Sequence, residues 1–187
     1  YAHASEVDLD KILKVTKSFR GQFSQNVVDQ SGNTIQAVKG HVLFKKPNFF
    51  KWIYTSPFKN QIISDGEFLY LYDPDLKQVI VTRLDRLGNS SPAMLIVSDN
   101  VKSLFNTEKF YDKNNLLWYK SLPKNKSTST FKEVLIYYDQ TKLNRMKILD
   151  NFDHITDITF KNIIQNEAIN DAVFLFNFPE GIDVIKN

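Results

Sequence analysis

Cysteine is absent from the 187-residue chain. Disulfides, thiolate metal sites and any lipid anchor attached through Cys are therefore excluded, while the redox compartment stays open. Gly and Pro number only 6 each, too few for a linker or a low-complexity chain. No apolar run approaches the roughly 20 residues that a bilayer-spanning helix needs. Histidine occurs at His3, His41 and His154, too far apart for a metal-ligand pattern. Neither a G-x-S-x-G elbow nor a phosphate-cradling glycine loop occurs. No catalytic residue, metal or cofactor is predicted, and no enzyme is expected. Charge of one sign is lacking too: the formal net charge is +3, with basic and acidic residues interspersed, which argues against nucleic acid as a partner.

What the chain has instead is aromatic residues, 15 Phe, 8 Tyr and 2 Trp. They are densest in Lys45-Lys46-Pro47-Asn48-Phe49-Phe50-Lys51-Trp52. Phe50, Trp52 and Tyr54 share one face of a strand and Lys51 points to the other. Such a face is ordinarily core. Behind a basic, proline-broken corner it also suits the rim of an apolar cavity. A third reading uses Lys45, Lys46 and Lys51 with Phe49, Phe50 and Trp52 as a platform for stacking single-stranded bases.

The length fits one domain, residues 1–187. An amphipathic helix is predicted over about 5–20, opened by a capping box at Ser5-Glu6-Val7-Asp8 and carried by Leu9, Ile12, Leu13, Thr16 and Phe19. Strands follow to Leu84, with hairpin turns at Ser31-Gly32-Asn33, Asp65-Gly66 and Asp73-Pro74-Asp75. Gly88-Asn89-Ser90-Ser91 breaks the pattern. Ser91-Pro92 then starts a short apolar helix over about 92–97, too short to stand alone. Strands resume at Leu116–Ser121, Phe131–Tyr138, Leu143–Leu149, His154–Asn162 and Phe174–Phe178. The predicted class is mainly β (α+β), one strongly curved antiparallel sheet with a helix lying on something apolar.

The order of several motifs resembles the LolA family, periplasmic carriers of bacterial lipoproteins. Ser18-Phe19-Arg20-Gly21-Gln22-Phe23-Ser24-Gln25 is similar to the family's opening segment, and Gly40 through Trp52 to its signature strand pair. Ser64-Asp65-Gly66, Leu69-Tyr70 and Tyr72-Asp73-Pro74 resemble the next hairpin. Gly88-Asn89, Pro92 and Met94-Leu95-Ile96 resemble the approach to its lid. Asp171-Ala172, Phe174, Phe176, Phe178-Pro179 and Gly181 resemble its ending.

The resemblance implies an incomplete β-barrel with a helical lid over a hydrophobic cavity for acyl chains. Phe19, Phe23, Phe50, Trp52, Tyr70, Met94 and Leu95 are expected to line it. Lys46 stands where family members commonly carry an Arg that latches the lid, and it is expected to reach carbonyls near Met94 to Val97. Acylated lipoproteins are the implied cargo, an inner-membrane ABC-type transporter the donor and an outer-membrane acceptor the recipient. The implied setting is the periplasm, with a signal peptide removed, and the implied state a monomer. The chain starts Tyr1-Ala2-His3-Ala4, as a processed secretory protein would, and as any trimmed chain would. The alternative is a LolB-like or other lipid-binding periplasmic sensor domain. LolB is anchored through an N-terminal Cys, and this chain has none.

Overall fold

The structure, a computed structural model, describes residues 8–87 and 91–187. Helix α1 covers Leu9–Val15, with Asp8 at its N-cap but no side-chain cap bond. The rest of the expected capping box lies outside the described residues, as do Gly88, Asn89 and Ser90. The helix expected to about residue 20 stops early, and strand β1 runs from Ser18 to Val28. The reason is a shared period. A spacing of four, as between Phe19 and Phe23, places two side chains on one face of either a helix or a strand.

The strands that follow are β2 (Thr34–Lys45), β3 (Phe49–Ser56), β4 (Gln61–Asp65), β5 (Phe68–Asp73) and β6 (Gln78–Arg83). Three four-residue helices come next, α2 (Leu84–Leu87), α3 (Met94–Val97) and α4 (Val101–Leu104). Then come β7 (Phe105–Tyr111), β8 (Leu117–Pro123), β9 (Phe131–Asp139), β10 (Lys142–Asp150) and β11 (Ile155–Gln165). A 3-10 turn at Asp171–Phe174 leads to β12 (Asp183–Lys186).

All twelve strands form one sheet in the order β12-β6-β5-β4-β3-β2-β1-β11-β10-β9-β8-β7. The sheet does not close, because β12 and β7 are its two edges. Only β12 runs parallel to its neighbour; the other pairings are antiparallel. The Asp65-Gly66 turn forms as expected, with Gly66 at φ 93° and the Asp65 carboxylate accepting from the N–H groups of Glu67 and Phe68. Register shifts at Arg20/Gln22, Lys39/Gly40 and Leu143/Arg145 bend the long central strands, since each inserts an extra residue on one side of a pair.

Gly40 lies in that bend for a steric reason: a Cβ there would sit 1.8 Å from the Ile53 carbonyl oxygen. The strand expected at Phe174–Phe178 does not form. Those residues instead drape over the outer face of β3–β5, with Phe174 against Phe49, and Phe176 and Phe178 against Tyr70.

The curved sheet therefore carries two apolar clusters. The large one fills the inner face, where α1 and α3 pack on rings from β1, β2, β3 and β11. The small one lies on the outer face and joins Ile63, Tyr70, Val79 and Val81 to Phe176 and Ile182.

Candidate functional site

Lys46-Pro47-Asn48 links β2 to β3. The Lys46–Pro47 peptide is cis, and Asn48 has φ 66°, a left-handed conformation that Asn tolerates better than most residues. The backbone N–H of Asn48 donates to the Val97 carbonyl at 2.9 Å. The Asn48 carbonyl in turn accepts from Ser64 Oγ at 2.6 Å. The corner thus holds the last turn of α3, and it does so through backbone rather than through Lys46.

Lys46 Nζ donates instead to the Leu13 carbonyl of α1. The expected bond to the carbonyls of residues 94–97 is corrected accordingly. The physics is unchanged, since the last carbonyls of a short helix lack intrahelical partners and carry negative partial charge. Val97 is already bonded to Asn48, and a last-turn carbonyl of α1 takes the ammonium. Burial pushes the Lys46 ammonium below its ordinary pKa, and nearby Asp99 opposes that shift. Lys102 and Asp10 add an ion pair at 2.5 Å between α4 and α1. At this exposure the pair contributes little. Lys14, Lys17, Lys46 and Lys102 line an open groove of about 580 Å³ between the two helices, with Asp10 and Asp99 among them.

Beneath the corner the inner face is built from rings. Phe19 stacks on Phe44 at 4.6 Å, and Phe44 on Phe50 at 6.0 Å. Trp52 packs against Phe23 at 4.8 Å. The edge-to-face partners of Trp52 are Phe44 at 5.9 Å and Phe160 at 6.0 Å. From above, α1 contributes Leu9 and Ile12, while all four residues of α3, Met94 to Val97, are buried. Phe19, Phe23, Phe50, Trp52, Met94 and Leu95 thus meet in one cluster.

Among the described residues, the pocket beside Ile12, Phe19, Phe44, Ile96 and Tyr138 measures about 10 Å³, space for roughly one water and far short of the room expected for an acyl chain. Burial pushes the Tyr138 phenol well above its ordinary pKa, as this enclosed setting requires.

Tyr70 is the exception among the expected lining residues. In the sheet register it aligns with Ile63 and Val81, while its neighbour Leu69 aligns with Ser64 and faces inward. Tyr70 therefore points outward, to Phe176 and Phe178, and donates to Asp65 Oδ2 at 2.9 Å. A shift of one residue in pairing changes the face, and neither hairpin turn states which face is inner.

The stacking platform does not form either. Phe50 and Trp52 are buried on the inner face, and Lys45 pairs outside with Asp171 at 2.6 Å. Phe44 and Phe160 were not among the expected residues. Phe44 was legible as the end of the alternation Val38, Gly40, Val42, Phe44. Phe160 was not, because its place depends on β11 pairing with β1 from the far end of the chain.

One polar group inside this wall, the Trp52 indole N–H, has no partner among the described residues. A buried donor left unsatisfied costs about 1–3 kcal/mol. The second tryptophan differs: Trp118 Nε1 donates to Asp112 Oδ2 at 3.1 Å.

Comparison with known proteins finds relatives in sequence and in fold. An outer-membrane lipoprotein carrier protein of Methylobacillus flagellatus is 35% identical over 178 residues, 95% of this chain and 86% of that one. Its counterpart in Nitrosospira multiformis is 34% identical over 187 residues, 98% and 90% of the two chains. In fold, the crystal structure of a LolA superfamily protein from Nitrosomonas europaea superposes with a TM-score of 0.53 at 13% identity, covering 91% of this chain and 98% of the other. The family model described as outer membrane lipoprotein carrier protein LolA matches residues 14–177, and this chain belongs to that family.

Proposed function

We propose that this chain is a periplasmic carrier that shields the acyl chains of lipoproteins against its inner aromatic face. It receives them from an inner-membrane ABC-type transporter and delivers them to an outer-membrane acceptor. The observation that carries this reading is the way the inner face is covered. A sheet face lined with Phe19, Phe23, Phe44, Phe50, Trp52 and Phe160 lies under two short helices. Few polar contacts hold those helices to the corner, chiefly Lys46 to Leu13 and Asn48 to Val97.

Each acyl CH₂ removed from water contributes about 0.8 kcal/mol, so an apolar wall suffices to hold the chains. The filled interior requires α1 or α3 to move aside first, and the rings to part. Opening of this kind lowers net affinity, as release of the cargo demands. The test is binding of a fluorescent fatty-acyl probe, with purified acylated lipoprotein as competitor. Displacement by the acylated form and not by its unacylated counterpart is expected. Displacement by both equally, or none, sinks the proposal.

A further inference from the structure

The Trp52 indole N–H is the unexplained group of the inner wall. Trp52 is 8% exposed, and among the described residues no acceptor reaches its Nε1. Phe44 and Phe160 meet the indole edge-to-face at 87° and 79°, and a ring face is at best a weak acceptor. Phenylalanine would fill an apolar wall without leaving a donor unmet, as Phe44 and Phe50 do beside it. Buried polar groups are nearly always paired, so an exception calls for a role.

Resting on the carrier reading above, we propose that Trp52 Nε1–H is the donor that recognises the carbonyl at the head of an acyl chain. Every fatty-acyl ester or amide carries one such oxygen next to its hydrocarbon tail. An ester or amide carbonyl accepts from an N–H far better than a ring face does. When the rings part and a chain enters, its methylenes replace Phe–Phe contacts with contacts of similar kind. The carbonyl, by contrast, gives Trp52 an acceptor that no described residue supplies. Trp52 thereby makes the wall select acyl groups over plain hydrocarbon and sets how deep the head of the chain sits.

The chain supplies its own control, because it has two tryptophans and Trp118 is already bonded to Asp112 on the other face of the sheet. The experiment follows the two indole N–H resonances of ¹⁵N-labelled protein during titration with methyl myristate and, separately, pentadecane, which has no acceptor. The ester should move the Trp52 resonance downfield and leave Trp118 in place, while the alkane should produce no downfield shift at Trp52. In parallel, Trp52→Phe should weaken the ester about fivefold and leave the alkane within about twofold. An unmoved Trp52 resonance at saturating ester, or equal weakening of both probes by Trp52→Phe, overturns the assignment while leaving the carrier reading intact. Failure of the unsubstituted protein to bind either probe overturns the carrier reading and this inference with it.

Discussion

Gly40 shows how much one absent atom decides. The Ile53 carbonyl oxygen occupies the space of a Cβ, and Phe23 Cε1 lies 3.0 Å away on the other side. Neither β3 nor the aromatic wall can withdraw without breaking register. Gly40→Ala should therefore destabilise the fold by about 3 kcal/mol. Gly21→Ala should cost about 1 kcal/mol, since its closest obstacle is the mobile end of the Ile163 side chain. Urea midpoints of the two variants check the ranking, and equal losses would refute it.

Tyr70 gives a pH prediction. Burial, then the hydrogen bond to Asp65, pushes its phenol up to about 12. The raised value means that the folded state favours the protonated form. The stability this contributes is complete below pH about 10, the ordinary tyrosine value, and is lost as pH climbs towards 12. The stability difference between the unsubstituted protein and Tyr70→Phe should shrink over that interval. A difference that stays flat from pH 9 to 12 would assign Tyr70 no such role.

Among the elements, α1 rests on the rings through Leu9 and Ile12. It spans Leu9–Val15, and Lys46 ties its end to the corner. Lys46→Leu keeps the apolar stem but removes the donor. Hydrogen exchange of the α1 amides should quicken about two- to fivefold, with a change below about 1 kcal/mol in global stability. Unchanged exchange in α1 would reduce Lys46 to a solvated charge.

Much of the element order was legible from hairpin chemistry, because Asp65-Gly66 and Asp73-Pro74 announce turns locally. Three features were not. Phe19 fits both periods, so its spacing extends the expected helix into what is β1. Strand β7 reads Asn106-Thr107-Glu108-Lys109, polar on both faces, since as an edge strand it has little to bury. Phe174, Phe176 and Phe178 alternate like a strand but cover the outer face without pairing, because what they meet is Phe49 and Tyr70 rather than another backbone. The wall was legible where alternation ran along β3 and was missed where it depended on pairings between distant strands.

For the whole molecule, the filled interior makes loading a two-step event. The observed rate of acyl-probe binding should rise with probe concentration and then level off at the rate of opening. Lys46→Leu should lift that plateau. A rate that climbs linearly throughout would mean that the wall admits chains without prior rearrangement.

The sheet's centre has a consequence for the order in which the protein comes into being. Strand β1 sits between β2 and β11, and Phe23 meets Phe160 there. During synthesis the first hairpin emerges early, yet its second neighbour arrives far later. Until then the rings of β1 to β3 have no far wall. Such long-range pairing slows folding and leaves a sticky half-sheet waiting. A chain cut before β11 should accumulate as insoluble aggregate rather than as a smaller folded carrier.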